Sequence, residues 1–157
     1  MTLPIITIDK AGIDFIRRWE GCRLLPYRCP AGKLTVGVGH VILPSEPYRE
    51  GVPITQREAD LLLFHDLQPV CRQIVRAFGS KVRTQGQFNA LASFAFNCGT
   101  RTLMQGSVWE AVHEEGDVPA ALALYCKARV RGVLTEIPGL VARRKAEGDL
   151  WRVGSVA

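Results

Sequence analysis

The order of apolar and polar positions divides the chain into an opening helix, a strand-rich stretch and a long helical remainder. Asp9 is a good helix N-cap, and Ile13, Ile16 and Trp19 recur at helical spacing as far as Gly21. Glu20 follows Ile13 and Ile16 at helical intervals, so a carboxylate closes this helix near its apolar face. Residues 24–48 read differently. Pro26, Pro30, Gly32, Gly37, Gly39, Pro44 and Pro47 exclude a long helix, while Leu34, Val36 and Val38 alternate as in a strand. A small antiparallel sheet is expected there. Thr55-Gln56-Arg57-Glu58 is a capping box opening a long helix toward Phe78, which Pro69 should kink or split. Thr84, with Gln87 at N3, opens another that stops at Gly99. Shorter helices are expected over residues 107–115 and 117–127, and a last one over about 138–151 with Pro138 at N1. A strand-rich insert followed by helices only is an α+β pattern.

Composition narrows the function classes. A chain of 157 residues, 47% hydrophobic and 22% charged, can build its own core as one domain, in one lobe or two. Its formal net charge of +5 suits an anionic partner such as nucleic acid, a bacterial envelope or a membrane surface. The basic residues are scattered except in Ala142-Arg143-Arg144-Lys145, and no nucleic-acid motif occurs, so nucleic acid is set aside. No stretch approaches the roughly 18 apolar residues of a membrane span, and the N-terminus lacks a basic n-region. Neither a signal, an anchor nor stable membrane insertion is expected. Cys22, Cys29, Cys71, Cys98 and Cys126 form no CxxC pattern; most should be small core residues in a reducing compartment, with no metal site.

Candidate chemistry gathers between Trp19 and His40. Glu20, at a helix C-terminus beside apolar neighbours, suits a general acid, because the dipole and desolvation both raise a carboxyl pKa. From helix position alone, a surface carboxylate paired with Arg17, Arg23 or an arginine further along fits it better. Cys29 sits in a turn with Arg28, Pro30 and Lys33, where basic neighbours favour a thiolate; an inert, partly buried thiol fits the same position. Thr35 on the strand is ordinarily a β-former and nothing more. Gly37-Val38-Gly39 is no phosphate loop, since neither a helix start nor GK[ST] follows. His40 with Cys29 could form a hydrolase dyad, but no orienting Asn or Asp stands at a recognisable spacing. A structural histidine held by a carboxylate fits it better.

The string Glu20-Gly21, Cys29, Thr35, then Val36-Gly37-Val38-Gly39-His40 resembles the catalytic segment of the phage-type lysozymes, the muramidase endolysins. Gln87-Phe88-Asn89-Ala90-Leu91 through Phe94-Ala95-Phe96-Asn97-Cys98-Gly99 is similar to a second family segment, and Pro138-Gly139-Leu140-Val141 through Arg143-Arg144-Lys145-Ala146-Glu147 to a third. The resemblance covers about residues 8–152. It implies one catalytic domain over 1–157, two-lobed and α+β: a sheet lobe over about 22–54, a helical lobe over about 79–157 plus the N-terminal helix, and a long helix joining them beside a glycan groove. It implies hydrolysis, with inversion, of the β-1,4 bond between N-acetylmuramic acid and N-acetylglucosamine of peptidoglycan, without cofactor.

By the same resemblance, Glu20 is the general acid, Thr35 orients the attacking water, and Cys29 replaces the family's usual Asp. Its thiol would then act as base, as water-positioner or as nucleophile, the last giving retention. Val41, Phe96 and Ser107 fall at groove-lining positions, and His40 pairs with Asp66 across the lobe interface. Arg143 or Arg144 reaches toward Glu20. Tyr125 stands where a Trp is common, beside an insertion over residues 129–135. The implied biology is a monomeric endolysin that waits in the host cytoplasm for a holin-type protein and then acts in the cell wall, causing lysis. Rival readings are a lytic transglycosylase and a peptidoglycan-binding module inactive through Cys29.

Overall fold

The computed structural model describes residues 5–153. The chain divides into two compact units, Ile13–Gln68 and the pair of segments Met1–Gly12 and Pro69–Ala157.

The first unit takes most of helix α1 (Lys10–Glu20), a three-stranded antiparallel sheet, and the first half of helix α2 (Gln56–Phe78). Helix α1 is capped as its sequence suggests, the Gly12 N–H donating to Asp9 Oδ1 at 3.0 Å, and it ends where Gly21 turns to φ 78°. Strands β1 (Arg23–Arg28), β2 (Leu34–Gly37) and β3 (His40–Val41) pair in chain order. Arg23 faces Gly37 and Tyr27 faces Thr35, so four steps along β1 oppose two along β2. The surplus falls between Arg23 and Tyr27, where the buried Pro26 has no N–H to give the ladder. The sheet is held to α2 by Val36, Ile54, Ala59 and Leu62, with Leu24, Ile42 and Tyr48 packed against them. Helix α2 opens on the expected capping box: Glu58 N–H donates to Thr55 Oγ1 at 3.2 Å, and Thr55 N–H donates to Glu58 Oε2 at 2.7 Å.

Pro69 does not split α2, which runs unbroken through it for 23 residues. Pro69 is exposed on the helix surface. What it removes is one N–H, leaving the His65 carbonyl without its helical donor.

The second unit is built on helix α3 (Gln85–Cys98), which is buried almost continuously from Gln87 to Ala95. Helices α4 (Thr100–Gln105), α5 (Ser107–His113), α6 (Val118–Ala123) and α7 (Pro138–Arg152) complete its helical part, and both α3 and α6 pack on α7. The buried polar side chains of α3 are partnered, as burial requires. Gln87 completes a capping box with Thr84, Asn89 donates to Asp9 Oδ1 at 2.8 Å, and Ser93 donates to Glu147 at 2.7 Å.

Two expectations fail, one in this unit and one along the whole described chain. The stretch expected to continue as helix to residue 127 leaves α6 at Ala123 and becomes a hairpin, β4 (Lys127–Val130) paired with β5 (Val133–Glu136). Helices are therefore not the only elements after the first sheet. Arg131 and Gly132 both adopt positive φ, 49° and 82°, which is the turn a tight hairpin needs. Nor are most of the cysteines core residues. Cys71 and Cys126 are buried, whereas Cys22, Cys29 and Cys98 are half-exposed, and all five are free thiols.

Candidate active site

Cys29 is placed by a turn that its own sequence dictates. The Cys29 carbonyl accepts from Gly32 N–H at 2.7 Å, and Cys29 N–H donates to the Lys33 carbonyl at 2.9 Å. Pro30 supplies the fixed φ of the second turn position, and Gly32, at φ 77°, supplies the left-handed residue that returns the chain to β2. The Cys29 thiol is lowered from its ordinary value, first by the Lys33 N–H; burial opposes this, and the Ala31 N–H, the Thr35 hydroxyl and the Lys33 charge each add a smaller lowering effect. A donor two residues on is the arrangement an Asx-turn gives an aspartate. Cys29 thus occupies a seat suited to an anion, whether sulfur or carboxylate.

The basic neighbours matter less than expected. Arg28 turns away to Glu50 at 3.0 Å and to the Gly32 carbonyl at 3.2 Å. Main-chain amides, with Lys33, are what act on the sulfur.

Thr35 is buried, 3% exposed, and lies directly across the sheet from Tyr27 on one side and Val41 on the other. Opposed residues of antiparallel strands share a face, so Tyr27, Thr35 and Val41 form one row, with Val41 exposed at its edge. The Thr35 hydroxyl donates to the Lys33 carbonyl at 3.0 Å and also acts on the Cys29 sulfur. It has one proton and cannot give it to both.

Glu20 is the last residue of α1, as the sequence suggests, but its surroundings differ from the expectation. Ile13 and Ile16 are buried while Glu20 is exposed to water, so those apolar neighbours do not enclose the carboxylate. Arg17 bridges Asp60 at 2.6 Å and Asp14 at 3.0 Å, and Arg23 stacks over the Tyr27 ring at 4.0 Å.

His40 sits between two carboxylates, with Nδ1 2.9 Å from Asp66 Oδ2 and Nε2 3.0 Å from Glu46 Oε2. All three belong to the unit Ile13–Gln68. Burial pushes the imidazole pKa down, but hydrogen bonds and charge from Glu46 and Asp66 outweigh it and hold it above the usual histidine range. Glu46 is the residue that sequence reasoning missed, because it lies in an irregular Ser-Glu-Pro loop with no periodicity to aim it.

In the other unit Arg143 and Arg144 are buried around one carboxylate. Arg143 Nε lies 3.3 Å from Glu147 Oε1, and Arg144 Nη2 donates to the same oxygen at 3.0 Å. Arg144 Nε and Glu147 Oε2 lie 2.9 Å apart without hydrogen-bond geometry, so that contact is purely electrostatic. Arg144 also donates to Asn97 Oδ1 at 3.0 Å and covers the Phe94 ring. Glu147 was legible as the i+4 and i+3 neighbour of the two arginines on a helix. Phe96 is half-buried on α3, and Ser107 opens α5 with its hydroxyl 3.3 Å from the Tyr125 hydroxyl.

The phage lysozyme family is matched over residues 17–147, which carry Glu20, the Cys29 turn, Thr35 and the buried arginine pair. The chain belongs to the phage lysozyme family. As a member it is a muramidase, a glycoside hydrolase. It is 33% identical over 150 residues to an endolysin of Acyrthosiphon pisum secondary endosymbiont phage 1, covering 92% of this chain and 97% of that one. Among solved structures, this lysozyme is similar to the muramidase domain of SpmX from Asticaccaulis excentricus, with a TM-score of 0.75 and 33% identity over 94% of this chain and 98% of that one. It is likewise similar to a point mutant of P22 lysozyme, with a TM-score of 0.77 and 30% identity over 94% and 99% of the two chains. No helix among the described residues is long and apolar enough to cross a membrane.

Proposed function

We propose that this lysozyme is a phage endolysin that cleaves the β-1,4 bond between N-acetylmuramic acid and N-acetylglucosamine with inversion, using Glu20 as acid and the Cys29 thiolate as base. The seat of Cys29 carries the reading: a turn closed by Gly32 N–H to the Cys29 carbonyl at 2.7 Å and by Cys29 N–H to the Lys33 carbonyl at 2.9 Å, in which the thiol is lowered from its ordinary value. A thiol elsewhere on the surface is mostly protonated at neutral pH and makes a poor base.

In the proposed step the Glu20 carboxyl gives its proton to the leaving glycosidic oxygen as the anomeric carbon–oxygen bond breaks. A water on the opposite face forms the new bond to that carbon and passes a proton to the Cys29 sulfur. The Thr35 hydroxyl swings from the Lys33 carbonyl toward the sulfur or the water as charge moves. Glu20 is exposed in the free protein, so in the proposed complex it is bound glycan that excludes water from it. Val41 is proposed as a glycan contact because it is the exposed end of the Thr35 row; Phe96 and Ser107 rest on the family resemblance alone. His40 and Asp66 are assigned a structural role. We also assign a single catalytic domain acting as a monomer, which waits in the host cytoplasm for a separate holin-type protein and then reaches the cell wall.

The test is clearing of outer-membrane-stripped Gram-negative cells by a small set of variants. Glu20→Gln should be nearly inactive. Cys29→Ala and Cys29→Ser should each lose activity by roughly two to four orders of magnitude, the usual worth of a general base. Cys29→Asp should be active. Full activity in Cys29→Ala removes the thiol from the mechanism. Release of a 1,6-anhydro sugar would instead establish transglycosylase chemistry, and failure of the wild type to clear cells would leave only a binding role.

A further inference from the structure

The β4–β5 hairpin has no part in this reading. Residues 129–136 are all exposed, so nothing among the described residues covers them. Val130 and Val133 face each other beside the turn, 45% and 65% exposed, and Leu134, 60% exposed, faces Arg129. Lys127, Arg129 and Arg131 supply three positive charges against the single carboxylate of Glu136. The Arg129 guanidinium is held at the tip by donation to the Gly132 carbonyl at 3.1 Å. The tip is therefore a tight turn holding Arg131, with Val130 and Val133 on one face of the hairpin and Leu134 beside Arg129 on the other.

We propose that this hairpin docks the enzyme peripherally on anionic phospholipid bilayers. The chemistry selects that occupant. Glycan or any other polyanion would pair with the arginines but leave Val130, Val133 and Leu134 in water, and the strands offer no aromatic ring for a sugar to stack on. A second copy would oppose two cationic tips with one carboxylate each. A bilayer satisfies both features at once: the apolar side chains enter the acyl boundary while the arginines stay at the phosphates. The inference is independent of which residues perform the hydrolysis.

Co-sedimentation with vesicles tests it, using phosphatidylglycerol mixed with phosphatidylethanolamine against phosphatidylcholine alone. The wild type should bind the anionic vesicles, release them as salt rises, and ignore the neutral ones. Arg129→Gln with Arg131→Gln should weaken binding about thirtyfold, at roughly fivefold for each charge near an anionic surface. Val133→Ser with Leu134→Ser should weaken it by about tenfold or more. Leu124→Ser, equally exposed but outside the hairpin, should bind as the wild type does. Circular dichroism and hydrolysis of purified peptidoglycan should be unchanged in all three. Absence of wild-type binding, retention of binding in the hairpin variants, equal loss in Leu124→Ser, or loss of affinity for purified peptidoglycan in the hairpin variants would each overturn the proposal.

Discussion

At Cys29 the decisive neighbours are main-chain amides, which sequence displays only indirectly. Pro30 and Gly32 announce a turn, and Lys33 announces a charge, but the direction of the Ala31 and Lys33 N–H groups appears only once the turn is folded. Thr35 illustrates the same limit. It reads as an ordinary strand residue, yet its hydroxyl donates to the Lys33 carbonyl and helps lower the Cys29 thiol. Thr35→Val, which keeps the shape and removes the hydroxyl, should lower kcat by about tenfold or more and move the acid limb of the pH–rate profile upward, since one donor to the thiolate is gone. Thr35→Ser should restore most of both. A fall in rate with an unmoved limb in Thr35→Val would confine the threonine to packing.

Elements with local signals were legible, and those set by distant contacts were not. Asp9, Thr55 and Thr84 each cap the helix they precede, because a cap is a matter of three or four consecutive residues. The hairpin over residues 127–136 was hidden because Arg131 carries no turn signature, and its left-handed φ of 49° shows only in the fold. Helix α7 was legible as a helix, but the burial of Arg143, Arg144 and Glu147 depends on α3 lying against it. Glu147→Ala removes the buried carboxylate that both Arg143 and Arg144 contact and should destabilise the protein by roughly 3–5 kcal/mol, measured by urea unfolding. Gly12→Ala should cost about 1–3 kcal/mol, because a Cβ there would fall 2.4 Å from Ile8 and 2.6 Å from Asn89.

For the whole molecule, the carboxylate–histidine cluster links folding to pH. His40 has a raised folded pKa, so its contribution is complete below the unfolded value of about 6.5 and is lost as pH rises through the folded one. Burial pushes the Glu46 carboxyl up, but the Leu43 N–H and then His40 outweigh it and hold the folded pKa below the ordinary value. Its contribution is present above the unfolded value of about 4.3 and is lost as pH falls through the folded one. Thermal melts should show that His40→Asn flattens the alkaline-side decline in Tm, whereas an identical slope in the variant would contradict the assignment. At this scale, the α+β class was legible in the order of elements and family membership in three short segments spread along the chain, whereas Glu46 and the solvent exposure of Glu20 were not. The most direct test of the thiolate reading is the pH–rate profile of wild type and Cys29→Asp on purified peptidoglycan. We expect wild-type activity to rise with pH through a thiol titration below the ordinary cysteine value, and the acid limb of Cys29→Asp to lie at clearly lower pH. Coincident acid limbs in two active enzymes would contradict a thiolate base.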